Sequence, residues 1–387
     1  MTKRQVISVF TGTRAEYGLL YPVLKKIAAS KDFELQLIVS GGHLDAHFGQ
    51  TQTEIEADGF PIAFSAKLPS MAENMALGAG SLTQSLATFW SQLGNRPAVV
   101  LLLGDRYETF AAAMAALLSG LPLAHMHGGD ISGGGTLDDS IRHAISKMAH
   151  LHFPVTQASA NRLLKLGEEA WRVTVTGASS VDNLRLVPLI EKDFYCREYG
   201  LNPEKPWILF TQHPLSVIPQ QAGEQARQTL QALADYGPGI EVLATYPNYD
   251  AGGKDIIEEL KHFEKVAGFR VVPSLGRERY LNSLRYVTLL VGNSSSGLLE
   301  SAHFQTPCLN VGERQHGRER GGNVVDVPQN EAAIRLALAK LLDDAEYRES
   351  LRYAPNPFGE GHCAETILSV FSERLSQPDL LLKQLTY

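Results

Sequence analysis

The sequence predicts an α/β protein with two doubly wound parallel sheets. Three observations predict it. Short apolar runs of strand length alternate with Ala/Leu-rich stretches of helical length. The alternation restarts near the middle of the chain. Clusters of Arg, Asp/Glu, Gly and Ser follow directly on apolar runs in both halves, where a parallel sheet presents its ligand site. A chain of 387 residues is too long for one core. Two domains of roughly 180 residues each follow from that length.

The elements read in order as follows. Residues 6–10 form a first strand. Leu20, Val23, Leu24 and Ile27 then give the i, i+3, i+4, i+7 stripe of a helix packed on a sheet. Further strands are expected at 35–39, 99–103, 121–127, 151–153 and 173–176. The second set falls at 207–210, 242–244, 270–272, 287–291 and 308–311. Repeated βαβ units imply parallel sheets covered on both faces. The stretch 177–201 carries the weakest pattern, which places the linker near its start. Residues 364–375 read as a closing helix. The expected division is 1–180 for an N-terminal Rossmann-like domain, 181–363 for a C-terminal one, and 364–387 for a helix packing back on the first. The two domains are expected to face each other across a cleft.

Hydrophobic residues make up 44% of the chain and charged residues 20%, ordinary globular values. The formal charge of −7 argues against nucleic acid and against an anionic membrane surface as partners. It leaves room for an anionic small ligand held by local arginines. Three scattered cysteines, Cys196, Cys308 and Cys363, form neither a disulfide framework nor a zinc cluster. A reduced cytoplasm is the expected compartment. The first residues run straight into a strand, so no signal peptide is expected. No apolar run approaches the ~20 residues that span a bilayer.

Each polar cluster carries a functional reading beside a plainer one. Residues 11–14, Thr-Gly-Thr-Arg, follow the first strand and open the first helix. Small residues there admit a phosphate to the helix N-terminus, and Arg14 adds a guanidinium fork. The plainer reading is a surface arginine on a turn. No dinucleotide or P-loop signature is present. In Gly-Asp-Arg-Tyr-Glu at 104–108, Asp105 and Glu108 look like a capping box for a helix at 110–118. Asp105 also sits at a strand's carboxyl end, where acid–base work is done.

His125 and His127 are placed on one strand face, but a metal site needs a third ligand. Asp130, after Gly-Gly, suits proton transfer better, and Gly133 to Gly135 could close on a ligand. Asp138 and Asp139 begin a helix and are spaced to pair with Arg142 and His143. Gln-His-Pro at 212–214 puts His213 at the end of the second half's first strand, as an acid–base candidate.

Gly-Asn-Ser-Ser-Ser-Gly at 292–297 is the most specific cluster. It lies between a strand and a helix, and its hydroxyls and backbone N–H groups suit a diphosphate. Glu300, one turn into that helix, suits a ribose diol. Arg314, Arg318 and Arg320 follow on a Gly-rich loop able to neutralise phosphate.

Taken together, 11–18, 104–108, 127–130, 138–143, 212–214, 292–297 and 317–321 resemble the UDP-N-acetylglucosamine 2-epimerase family. The likeness is to its hydrolysing branch, of the bacterial sialic-acid and legionaminic-acid type. It covers about 10 to 365 in the right order. It implies the glycosyltransferase-B architecture, with the active site between two Rossmann-like domains, and a homodimer or a tetramer. The implied chemistry is elimination of UDP from a UDP-HexNAc across C1–C2, then addition of water. The product is the free 2-epimer, ManNAc in the case of UDP-GlcNAc.

Carried over by position, Arg14, Ser294, Ser295, Glu300 and Arg314 hold the nucleotide, with Arg106 and Arg142 at the substrate. Asp105, Asp130, Asp138 and His213 move protons. Many members carry Glu where this chain has Asp130 or Asp138, so both stay candidates for the C2 proton. No metal and no cofactor is implied. A UDP-linked 2,4-diacetamido-trideoxyhexose and a GDP-linked analogue fit the same motifs. Rival readings are the non-hydrolysing epimerase, a glycosyltransferase of the same architecture, and a catalytically silent nucleotide-sugar sensor.

Overall fold

The computed structural model describes residues 4–44, 52–68, 75–131, 137–215, 218–247 and 252–386. The chain forms two compact units. The first runs up to Asn183 and is rejoined by the chain from Gly359 onward; the second is Leu184–Phe358.

In the first unit, β1 (Gln5–Thr11), β2 (Phe33–Ser40), β3 (Ile62–Ala66), β4 (Val99–Leu103), β5 (Leu123–Met126) and β6 (Leu151–Phe153) make one six-stranded sheet. Its order is β3-β2-β1-β4-β5-β6, and every pairing is parallel. This is the doubly wound order, reversing between β1 and β4. The alternation of side chains along a strand fills both faces. Ile7, Val9, Leu101 and Leu103 turn to one face, against Leu20, Leu24 and Ile27 of the helix Arg14–Ala28. Phe10, Val100 and Leu102 turn to the other, against Leu82, Leu86 and Trp90 of the helix Met75–Ser91.

The second unit repeats the plan. Its strands are β7 (Trp207–Thr211), β8 (Glu241–Thr245), β9 (Phe269–Val272), β10 (Leu289–Gly292), β11 (Cys308–Val311) and β12 (Val324–Val327). The order is β12-β11-β10-β7-β8-β9, again all parallel, with the reversal between β7 and β10. Ile208, Phe210, Leu289 and Val291 pack with Leu230 and Leu233 of the helix Ala222–Asp235 and with Ile334 and Leu338 of the helix Glu331–Asp343.

Several expected elements are corrected. The run 121–127 gives only β5, because His127 leaves the strand with φ 64°. Residues 173–176 form no strand; Val173 makes a single bridge to His152. The weak stretch 177–201 holds two helices, Ser179–Leu186 and Lys192–Tyr199. The edge strands β3 and β12 give no strand signal in the sequence, because they are partly exposed and carry no unbroken apolar run.

The closing helix, Cys363–Arg374, buries Ile367 and Phe371 in the first unit's core. Its N-terminus is capped from a distance. The Asp182 carboxylate accepts the N–H groups of Cys363 at 2.9 Å and Ala364 at 2.8 Å. Burial nonetheless pushes the Asp182 pKa up. Replacing a capping aspartate costs about 0.5–2 kcal/mol. Asp182→Ala should therefore lower the thermal midpoint by a few degrees, measured by calorimetry; an unchanged midpoint would show the cap to be idle.

Beyond the closing helix, Arg172 holds the final residues. Its buried guanidinium donates to the carbonyls of Leu380 at 2.7 Å and Leu382 at 2.9 Å. No helix among the described residues is long and apolar enough to cross a membrane.

Candidate active site

Loops leaving adjacent strands at an order reversal diverge to opposite faces and open a crevice. In the first unit these are the loops after β1 and β4. Thr13 starts the helix Arg14–Ala28 with a reciprocal capping box. The Glu16 carboxylate accepts the N–H of Gly12 at 2.8 Å and of Thr13 at 3.0 Å. Its second oxygen accepts the Thr109 hydroxyl at 3.1 Å, from the helix after β4. The backbone phosphate cradle expected at 11–14 is therefore corrected. Two of its N–H groups already hold a carboxylate of the protein's own. Burial raises the Glu16 pKa from 4.5 to about 7, against the Gly12 hydrogen bond, and the neighbouring Glu108 raises it further. Arg14 lies 73% exposed, 3.1 Å from Glu54.

The capping box expected of Asp105 and Glu108 is also overturned. The helix Tyr107–Leu118 has Arg106 at its N-cap and no side-chain cap. Glu108 is fully buried and receives the Arg106 guanidinium through two hydrogen bonds of 3.2 Å. Asp105 turns instead to a salt bridge with Arg142.

Arg142 lies on the helix Leu137–Met148 and is buried. It gathers three acidic residues. It bonds the Asp105 carboxylate, Asp139 Oδ1 at 2.6 Å and the Asp130 backbone carbonyl at 2.9 Å. Burial moves the guanidinium pKa down to about 10. The expected i, i+4 pairs of Asp138 with Arg142 and of Asp139 with His143 are thus replaced by an i, i+3 pair of Asp139 with Arg142. Asp138 stands exposed in the helix's first turn. Residues 133–135 lie outside the described residues.

The Asp130 carboxylate is placed by two neighbours. Its Oδ1 accepts the Ser159 hydroxyl at 2.7 Å, and His127 Nδ1 lies 3.6 Å from Oδ2. His125 and His127 do not share a strand face, since His127 sits in the left-handed turn after β5. His125 is fully buried, with Nε2 2.8 Å from the Gly104 carbonyl and Nδ1 3.0 Å from Ser146 Oγ. Burial pushes its pKa down to about 3, so it stays neutral and braces the loop after β4. Among the described residues no group of three His, Cys, Asp or Glu is placed to hold a metal ion.

In the second unit the corresponding loops follow β7 and β10. Gly292 ends β10 with φ 139°. A Cβ there would fall 2.0 Å from the Thr211 carbonyl oxygen, so the close approach admits no side chain. Ser294 accepts the Ser296 N–H at 3.3 Å and caps a three-residue 3-10 turn, Ser295–Gly297. The continuous helix expected after the serines is absent. A four-residue helix, Glu300–His303, follows, and Glu300 is its first residue. The turn is pressed on β11: a Cβ on Gly297 would lie 2.6 Å from Cys308 Sγ.

Three loops meet at Asn293, a buried residue. Its Oδ1 accepts the His213 N–H at 2.7 Å, and its Nδ2 donates to the His213 carbonyl at 2.9 Å. Its backbone carbonyl accepts Arg314 Nη1 at 3.0 Å and Gln315 Nε2 at 2.8 Å. Arg320 braces the same loop, through the Asp326 carboxylate and the Gln315 carbonyl at 2.8 Å. Of the three arginines expected at a phosphate, Arg320 is thus engaged with the fold, Arg318 is exposed, and Arg314 lies beside the serine turn's entry.

Sequence reasoning missed Glu16 and Asn293. The signal for Glu16 was present, as Thr-x-x-Glu at a helix start. Asn293 stood inside the quoted motif, but its partners lie on other strands.

The family model described as UDP-N-acetylglucosamine 2-epimerase matches residues 25–372. The chain is 36% identical over 363 residues to a hydrolysing UDP-N,N'-diacetylbacillosamine 2-epimerase of Legionella pneumophila, covering 94% of each. It is 34% identical over 338 residues to a hydrolysing GDP/UDP-N,N'-diacetylbacillosamine 2-epimerase of Campylobacter jejuni, covering 86% of each. The fold matches the crystal structure of UDP-GlcNAc 2-epimerase from Neisseria meningitidis bound to UDP-GlcNAc, with a TM-score of 0.80 at 18% identity. That match covers 96% of this chain and 100% of the other. The fold and its matches define a two-unit enzyme of the nucleotide-sugar class. The chain belongs to the UDP-N-acetylglucosamine 2-epimerase family.

Proposed function

We propose that the protein is a hydrolysing 2-epimerase of a UDP-linked 2-acetamido sugar. The 2,4-diacetamido-trideoxy form is the first substrate to test, since the relatives at 36% and 34% identity both carry that activity in their names. The observation that carries the reading is the Arg142 network, which gathers Asp105, Asp130 and Asp139 at the carboxyl ends of β4 and β5. It fixes the carboxylates of Asp105 and Asp139 and the backbone of Asp130, whose carboxylate is held by Ser159.

In this reading Ser294, Ser295 and Arg314 take the diphosphate and Glu300 the ribose. Arg14 lends positive charge to the nucleotide. Cleavage is led by the leaving group. The C1–O bond breaks, UDP departs with the bonding pair, and a carboxylate of the set Asp105, Asp130 and Asp138 takes the C2 proton. A C2–H beside an acetamide carbon is a poor acid, so donors arranged around the diphosphate lower much of the barrier. Water then adds at C1, and a proton returns to C2 from the opposite face. His213 serves as a further acid–base group at the sugar. A homodimer working in the cytoplasm goes with this reading.

Turnover in heavy water tests it. The expected product is a free 2-epimerised sugar with one deuterium at C2, and UDP is released in equal amount. NMR reads the first and chromatography the second. Full retention of the C2 hydrogen would overturn the reading, as direct hydrolysis or transfer leaves that bond untouched. A deuterated sugar still joined to UDP would replace it with the non-hydrolysing reaction. The same assay with UDP-GlcNAc and with the diacetamido substrate ranks the two sugars by kcat/KM.

A further inference from the structure

The amide of Asn293 makes two hydrogen bonds to one residue, and both are to backbone. It accepts the N–H of His213 and donates to the carbonyl of His213, at 2.7 and 2.9 Å. A two-point clasp fixes both peptide planes that flank His213, and so fixes where its Cα–Cβ bond points. The clasp spans the order reversal, from the loop after β10 to the loop after β7. Few side chains can do this. An amide offers a donor and an acceptor side by side, whereas a carboxylate only accepts. The Asn293 backbone is pinned in turn, by Arg314 and Gln315 on its carbonyl and by the close approach of Gly292 to Thr211.

We propose that Asn293 is a positioning residue for the reaction: its side chain holds His213 in place for proton transfer beside the serine turn. The inference rests on the reading of His213 as an acid–base group. It assigns the side chain of Asn293 to the chemical step and leaves the diphosphate contacts to Ser294 and Arg314. The two contributions therefore separate in an experiment. Without the clasp the loop after β7 gains freedom, and an acid–base group displaced by about 1 Å loses much of its effect.

The test uses the full chain carrying Asn293→Asp, Asn293→Ser or His213→Ala. Aspartate keeps the acceptor for the His213 N–H and sets a carboxylate oxygen against the His213 carbonyl. Serine is too short to span both groups. The expected result for Asn293→Asp is a loss of about a hundredfold in kcat, as when an acid–base group is disabled. UDP affinity by calorimetry should stay within about threefold, and the pH profile of kcat should lose or shift the limb that His213→Ala also removes. Asn293→Ser should fall in the same direction.

A folded Asn293→Asp protein with kcat near wild type would overturn the proposal. So would an equal loss of kcat and UDP affinity, which marks a general structural role. If both Asn293 variants fail to fold, Asn293 is a folding residue and the proposal falls. Should His213→Ala itself retain full kcat, the acid–base reading of His213 falls instead. A wild-type-like Asn293→Asp beside an inactive His213→Ala would remove this inference alone.

Discussion

Arg142→Ala is expected to destabilise the first unit by about 3–5 kcal/mol, the range for breaking a buried ion pair by removing one partner. The guanidinium is buried, and the substitution strands two carboxylates that share it, Asp105 and Asp139, at side-chain exposures of 24% and 12%. Calorimetry should show the loss as a fall in the midpoint of the first unit's transition. Turnover should fall by about 10²–10⁴, the contribution of a positioned acid–base group, since Asp105 loses the charge that aims it. Arg142→Lys keeps the charge but loses the fork that reaches two carboxylates at once. Its loss should appear in kcat, with KM little changed. An Arg142→Ala protein of unchanged stability whose only defect is a raised KM would show that the guanidinium contacts substrate and that the network is incidental.

The fold was largely legible because its signals are local. The core strands are unbroken apolar runs, and runs such as Val99–Leu103 and Cys308–Val311 were located to the residue. Edges were harder. β12 is partly exposed along its length and carries Asp326, so its pattern resembles a loop. The helices within 177–201 are hard to read from sequence for a different reason. Their buried apolar residues are too sparse to form a helical stripe, Val181 and Leu184 in one and Tyr195 in the other, and Ser179–Leu186 is held partly by Asp182 reaching a helix far along the chain.

The candidate site was legible as positions and not as partnerships. Motif reading brought Asp105, Asp130, His213, Ser294 and Arg314 to the carboxyl ends of strands, and Arg142 to a helix start. It paired Arg142 with Asp138 by helical spacing, because spacing is all a sequence displays. The structure pairs Arg142 with Asp105, 37 positions away. The same limit explains Glu16. Its place in a Thr-x-x-Glu start was readable, but its burial against Thr109, 93 positions on, comes only from β1 and β4 lying side by side.

That burial yields the other large prediction. Glu16→Gln is expected to stabilise the protein by up to about 3 kcal/mol at pH 8, and to change little near pH 4. The carboxyl titrates at about 7 in the fold against an ordinary 4.5, chiefly because it is buried, with Glu108 beside it and Arg106 opposing. A raised pKa means the folded state holds the proton more tightly than the unfolded chain. The resulting stability is full below about 4.5 and is lost as pH rises through about 7. Glutamine copies the protonated form. Its carbonyl can take the Gly12 and Thr13 N–H groups, and its amide can donate to the Thr109 hydroxyl, which turns to accept. Denaturant unfolding between pH 4 and 9 checks this. The difference between variant and wild type should open across the interval from 4.5 to 7 and then level off. Parallel profiles, or a variant less stable at pH 8, would mean that Glu16 is held ionised by its three donors and that burial is not the dominant force on it.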